Sequence, residues 1–252
     1  MREASWRLVD SGIVSPPVSG ALDEAILEAH SRGMVPNTLH FYIRSSPTVS
    51  VGHFQKVCET LDLDECRTRG VSIIRRRSGG RSIYTDSGQL IYAIVLSRSD
   101  IPASPEKSFE VLCTIVSRAI SSFGVDARYR PVNDVEIAGK KVSGSAQLRR
   151  KGSVLQHGTV LVDTDIEVMD SVLRLDRERN LGPSKPSDRV TTLSHVLGVI
   201  PDMTEVKSRL SRAFSDHLRS ELVRDELTRF EADLVNELVG THYSKDEWNL
   251  KF

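Results

Sequence analysis

The apolar positions of this chain follow two rhythms, one helical and one alternating. Ala21, Leu22, Ala25, Ile26 and Ala29 fall on one face of a helix, and Leu39–Ile43 alternates as a strand does. Val49 and Val51 predict a short strand ending at Gly52, Ser72–Arg76 a second, and the apolar run Leu90–Leu96 a core strand. Leu112, Ile115, Val116, Ala119, Ile120 and Phe123 form the strongest helical stripe, stopped by Gly124. From Val135 to Val162 the pattern is that of hairpins, with turns at 138–140 and 149–152, and amphipathic helices follow near 205–219 and 227–239. This is mixed α/β order without repeats. One conspicuous loop, Asn180–Asp188, is rich in proline, serine and glycine, and no linker precedes it, so residues 1–252 read as one main domain.

Charge narrows the partners. The chain carries 34 basic and 34 acidic residues, so no global field draws it to nucleic acid or to an anionic membrane, and any binding is local. Cys58, Cys66 and Cys113 are too few and too scattered for a disulfide framework or a zinc site. The first twelve residues lack a secretory apolar core, and no apolar run approaches the ~18 residues of a membrane span, so a cytoplasmic protein is expected.

Two stretches carry candidate chemistry. In Arg75-Arg-Arg-Ser-Gly-Gly-Arg-Ser-Ile-Tyr-Thr-Asp86, three arginines run into a glycine pair just before the core strand. An exposed basic turn would look the same, but glycines admit a ligand close to the backbone, and N–H groups with guanidinium hold phosphate oxygens. Neither a Walker loop nor a GxGxxG fingerprint is present. The second stretch is Asn133-Asp-Val-Glu-Ile-Ala-Gly-Lys-Lys-Val-Ser-Gly-Ser-Ala-Gln147, continued by His157-Gly-Thr159. Lys140 reads as a solvated hairpin charge, His157 alone as a structural histidine and Asp134 alone as a turn residue. Lys141 differs: the small residues Ser143, Gly144, Ser145 and Ala146 after it let a ligand lie flat on the strand beneath its ammonium.

Taken together, Arg76-Arg-Ser-Gly-Gly80, Tyr84-Thr-Asp86, Asn133-Asp134, Gly139-Lys-Lys-Val-Ser-Gly-Ser-Ala146 and His157-Gly-Thr159 resemble the motif series of the lipoate–protein ligase A family, within the biotin/lipoate ligase superfamily. Trp6–Gly12, Ala21–Ala25, Val49–Gln55 and Tyr243–Asn249 extend the resemblance over nearly the whole chain. It implies an α/β fold: a mixed, mainly antiparallel sheet with packed helices. It implies an enzyme that activates lipoate or octanoate with ATP and Mg²⁺ to acyl-AMP, then passes the acyl group to a lysine of a lipoyl-domain protein.

Carried over by motif, Arg76, Gly79, Gly80, Arg81, Ser82, Ile83, Tyr84 and Asn133 would hold the nucleotide, and Lys141 would bridge the fatty carboxylate and the α-phosphate. Asp134 would be the Mg²⁺ carboxylate. Ser78, Ser143, Gly144, Ser145, Ala146, His157, Gly158 and Thr159 would line the acyl substrate, with Val49–Val51 and Leu90–Val95 walling its tail. A cation between two approaching anions is what such an attack requires. The loop Asn180–Ser194 reads as a lid over the reactive adenylate.

The sequence departs from the family pattern at Arg81 and Thr85, and Arg81 together with the end segments also resembles the octanoyltransferase branch. Those transferases use an acyl thioester and a nucleophilic cysteine, which should lie before the lysine hairpin or after His157; neither segment here holds one. The ligase is therefore the main expectation and the transferase the alternative. A non-catalytic acyl or nucleotide carrier is a third reading, set against the presence of Lys141, Asp134 and Arg76. Many family ligases continue into a small C-terminal accessory domain, whereas this chain stops just past Trp248-Asn249; the resemblance then implies either a separate small accessory protein as a partner or a catalytic domain that suffices alone. A DNA-binding role, which would need a helix-turn-helix module before Trp6, is not expected.

Overall fold

The computed structural model describes residues 6–174 and 185–252. In chain order the elements are β1 (Trp6–Val14), α1 (Pro16–Ser31), β2 (Thr38–Arg44), β3 (Thr48–Val51), α2 (Val57–Thr60), α3 (Leu63–Thr68), β4 (Ser72–Arg75), β5 (Ile83–Thr85), β6 (Gln89–Ser97) and α4 (Pro105–Ser121). They continue with β7 (Ala127–Arg130), β8 (Asp134–Ile137), β9 (Lys140–Arg150), β10 (Ser153–Leu161), α5 (Ile166–Val172), α6 (Leu193–Leu197), α7 (Met203–Leu218), β11 (Leu222–Asp225), α8 (Arg229–Leu238) and α9 (Asp246–Asn249).

The large sheet has the order β11-β1-β2-β6-β10-β9-β8-β7, and a small sheet has the order β4-β3-β5. In the large sheet only the β11–β1 and β1–β2 pairs are parallel; every pairing from β2 to β7 is antiparallel. The expected mixed, mainly antiparallel α/β architecture is the one observed. Each strongly periodic segment forms the expected element, while β1, β7 and β11 and the short helices went unpredicted. They have too few residues, or too many polar ones, for a period to register.

The two faces of the large sheet do different work. On one, Leu39, Leu90, Tyr92, Ile94 and Val160 pack under α4 and α7 in the main core. On the other, Tyr42, Ile91, Ala93, Val95 and Leu155 lie under α1. Helix α1 begins with Pro16 and Pro17 in its first turn, where a missing N–H costs nothing, and it is buried along most of its circumference because α8 covers its outer side. That burial includes Asp23. An ion pair ties α8 to β1: Arg7 donates to Glu231 (2.9 Å for Nη1–Oε2) and to Thr38, and Glu231 also caps α8 through Thr228.

The small sheet stands beside this second face with its own core of Val49, Val51, Val57, Leu61 and Tyr84. Its β4 strand is fastened by the last helix: the Arg75 N–H donates to Asn249 Oδ1 (3.0 Å), and Trp248 Nε1 donates to the Arg75 carbonyl (2.9 Å). No helix among the described residues is long and apolar enough to cross a membrane. Of the segment expected to act as a lid, residues 180–184 lie outside the described residues. The rest is tied to β9, with Lys141 N–H donating to the Arg189 carbonyl and Thr191 N–H to the Lys141 carbonyl, both at 2.8 Å.

Candidate active site

Between α1, the second face of the large sheet and the small sheet lies a cavity of about 520 Å³. The two sequence stretches meet there. The hairpin β9–β10 sets His157 opposite Ala146 and Thr159 opposite Gly144, on one face. The Lys141 side chain crosses this face: an ideal Cβ at Gly144 would sit 2.2 Å from Lys141 Nζ and 2.3 Å from its Cε, so only glycine leaves the ammonium this course. The ammonium meets Asp134 Oδ1 at 2.7 Å, and Asp134 Oδ2 accepts from Arg130 at 2.8 Å. Asn133 fixes the strand beside them, its side chain donating to the Ser145 carbonyl while its own carbonyl accepts from Ser145 N–H at 2.9 Å.

The three consecutive arginines have three destinations. Arg75 is fully buried outside the cavity, donating to the carbonyls of Gly52, His53 and Gln55. Arg76 donates to Ser50 O (2.7 Å), Gly79 O (2.8 Å), Arg81 O (2.8 Å) and Ser78 Oγ (3.1 Å), and burial pulls it down to about 10. Four of the five guanidinium N–H groups thus hold the glycine loop in shape. Arg77 pairs with Glu24 at 3.0 Å and lies over the Trp248 ring. Arg81 is exposed at the cavity with no partner among the described residues, a cation available to an anionic ligand. The loop closes because Gly80 takes a positive φ of 96° and its carbonyl presses on Gly52, where a Cβ would sit 1.9 Å away.

Of the residues singled out from sequence, Arg76, Ser78, Gly80, Arg81, Ser82, Ile83, Tyr84, Asn133, Asp134, Lys141, Gly144, Ser145, Ala146, His157, Gly158 and Thr159 line the cavity. Gly79 and Ser143 do not. Strand alternation turns the side chains of Ser143 and Ser145 to the α4 side, where Ser145 Oγ meets Tyr92 Oη at 2.7 Å. The expected tail walls also change: Val49 and Val51 point into the small-sheet core, and of Leu90–Val95 only Ile91 faces the cavity. The apolar lining comes instead from Ile74, Leu148, Leu155, Leu161, Met169 and Leu173, on four elements or their ends.

Sequence reasoning missed Asp23, Glu24, Tyr42 and Arg44, which α1 and β2 bring to the same cavity. Asp23 Oδ2 accepts from His157 Nδ1 at 2.8 Å and from Tyr42 Oη at 3.2 Å, while Oδ1 faces His40 Nδ1 at 3.3 Å. Burial alone would raise its pKa, but the bonds from His157 and His40 outweigh it and hold the carboxyl well below its usual range. The other ring nitrogen of His157 lies 2.7 Å from Ser78 Oγ. The one available signal was an acidic pair, Asp23-Glu24, inside an otherwise apolar helical stripe.

None of the three cysteines lines this cavity. Cys113 sits under the sheet on α4, 3.7 Å from Ser145 Oγ, and burial pushes its thiol up to about 11; burial does the same to Cys66 on α3. Cys58 is exposed on α2.

Residues 15–215 match the lipoyl protein ligase A/B catalytic domain. The chain belongs to that family. Over its length it is similar to octanoyltransferase LipM of Brevibacillus brevis, 32% identical across 98% of this chain and 99% of the relative, and to LipM of Kyrpidia tusciae, 33% identical across 98% and 99%. Among solved structures it resembles a chain of the archaeal lipoylation system of Thermoplasma acidophilum, described as a bi-partite lipoate protein ligase and its E2 lipoyl domain, with 32% identity, a TM-score of 0.86 and coverage of 98% and 96%. A lipoate–protein ligase A bound with ATP follows at 30% identity and a TM-score of 0.85, covering 98% of each chain. The chain is thus an enzyme of the lipoate ligase and octanoyltransferase family. Between the two activities, the curated relatives' names favour the transferase, the alternative rather than the main expectation from sequence.

Proposed function

We propose that this protein is an ATP-dependent acyl–protein ligase that converts octanoate or lipoate to acyl-AMP and transfers the acyl group to a lysine of a lipoyl-domain protein. The observation that carries this reading is the composition of the cavity: a lysine ammonium paired to a carboxylate, free and bridging cations, an apolar tail pocket, and no thiol. Transfer through an acyl-cysteine needs a thiolate at the acyl carbonyl. Cys113 faces the opposite side of the sheet with its thiol protonated at neutral pH, and the others are on α2 and α3.

The tail of the acid fits the apolar lining, which brings its carboxylate beneath Lys141. There the ammonium offsets repulsion between the carboxylate and the phosphate it attacks, a contribution worth ~10²–10³ in rate for a single well-placed donor. Arg81 and the loop shaped by Arg76 face the phosphates. Magnesium takes one or two carboxylates together with phosphate oxygens, and Asp134 suits the role of a single carboxylate once a nucleotide draws Lys141 from it. Among the described residues no cluster of three His, Cys, Asp or Glu side chains offers a site independent of substrate. When bound, the metal would supply charge neutralisation at the phosphates.

The transferase is the second reading, favoured by the names of the LipM relatives. The purified protein, given ATP, Mg²⁺ and octanoate, should release pyrophosphate and form octanoyl-AMP. Given octanoyl carrier protein without ATP, it should carry no acyl group on a cysteine. The reverse pair of results overturns the ligase reading.

A further inference from the structure

The cavity holds a second constellation that lysine-centred activation does not use. Ser78 Oγ lies 2.7 Å from His157 Nε2, and His157 Nδ1 lies 2.8 Å from Asp23 Oδ2. A carboxylate can only accept, so in the neutral ring the hydrogen sits on Nδ1 and Nε2 is left to accept the Ser78 hydroxyl proton. A nucleophile bonded to a base that is in turn oriented by a buried carboxylate is the geometry of serine acyl transfer, recognised by roles rather than by fold or chain order. Three further features fit. Arg76 Nε donates to Ser78 Oγ at 3.1 Å, a fixed positive charge beside an oxygen that must lose its proton. Gly80, two residues after the serine, lines the cavity, and its N–H has no protein acceptor among the described residues, leaving it available to an oxyanion. The apolar pocket that would hold an acyl tail opens on the same cavity.

We infer that Ser78, with His157 as its base and Asp23 positioning the imidazole, accepts an acyl group from an acyl thioester without ATP, forming an acyl-serine ester. In the first step Ser78 Oγ bonds to the acyl carbon, the carbon–sulfur bond breaks, and the serine proton passes through His157 Nε2 to the departing sulfur. In the second, an acceptor amine nitrogen bonds to that carbon, the carbon–Oγ bond breaks, and His157 returns a proton from the nitrogen to Oγ. No oxidant or second co-reactant is needed. This activity stands apart from the ligase reading: a protein that forms octanoyl-AMP and never an acyl-serine refutes this proposal alone.

The test uses the full chain with octanoyl-pantetheine as donor and EDTA in place of ATP and Mg²⁺, followed by peptide mapping. One octanoyl group is expected on Ser78, resistant to neutral hydroxylamine as an ester is and released by alkali. A fluorophosphonate probe should label the same residue, and octanoate should compete with it. His157→Gln should slow labelling by ~10²-fold or more, the range for loss of a general base. Asp23→Asn should slow it as well and alter its pH profile, which a merely structural carboxylate would not do. The inference is overturned if wild-type protein carries neither adduct on Ser78, if the octanoyl group maps to a cysteine, or if His157→Gln is labelled at the wild-type rate. Mapping of the wild-type protein decides the matter even where a variant fails to fold.

Discussion

Lys141 Nζ lies where a side chain at Gly144 would begin, 2.2 Å from the position of its Cβ. The clash involves the far end of a flexible side chain, so Gly144→Ala should fold and displace only the ammonium. Acyl-adenylate formation should fall by ~10²–10³, as for loss of the cation itself. Pyrophosphate release, read beside an unchanged circular dichroism spectrum, checks this; near-wild-type activity would show that the ammonium works from elsewhere.

The adjacent lysines should separate cleanly. Lys141→Ala should abolish adenylate formation, whereas Lys140, which is exposed and among the described residues reaches only the Ser187 carbonyl at 3.5 Å, should tolerate alanine with less than about a twofold change. Lys141→Arg should not rescue, because a planar fork is a poor replacement for a compact ammonium between two oxygens. Steady-state rates of the three variants are the measurement.

Replacing Cys58, Cys66 and Cys113 together by serine or alanine should leave acyl transfer to a lipoyl domain largely intact, since no thiol reaches the cavity. Loss of transfer in one single-cysteine variant that remains folded would favour the transferase reading instead.

Cys113 also makes a pH prediction. Burial holds its folded pKa at about 11, above the ordinary thiol value of 9.0, so the unfolded chain releases the proton first. The stabilisation is complete below pH 9 and is lost as pH rises toward 11. Between pH 8 and 10.5 wild type should lose about 2 kcal/mol more than Cys113→Ala, at ~1.4 kcal/mol per pKa unit, in urea titrations of both proteins.

Arg7 and Glu231 are both buried, joining β1 to α8. Arg7→Met strands a carboxylate in the interior and should cost about 3–5 kcal/mol, while adding Glu231→Gln should recover part of the loss. Urea midpoints of the single and double variants test this, with additive losses the contrary result.

The chain's long periodic segments declared themselves because one face of each is buried: α1, β6, α4 and the β9–β10 hairpin needed no partner to be read. Lys141 over its small residues was legible for the same local reason. Asp23 was not, because its value depends on α1 lying across β2, β6 and β10, so that one carboxylate spans His40 and His157 with only Ala93 between them in the sheet. The bonds of Arg75 and Arg76 to backbone carbonyls could not be read from the sequence. Sequence shows charge, and a guanidinium used on backbone carbonyls is indistinguishable there from one offered to a ligand.

The fastening of β4 by Trp248 and Asn249 has a consequence for synthesis on the ribosome. Arg75 leads directly into the glycine loop, yet the side chain that satisfies its backbone N–H belongs to a residue 174 positions later. At translation speeds of ~5–20 residues per second, that partner follows roughly 10–35 s behind. Through that interval the β4 edge stands open and the loop lacks one of its supports, so a nascent chain should hold no productive site, and should be most prone to mispairing, until Asn249 has left the exit tunnel.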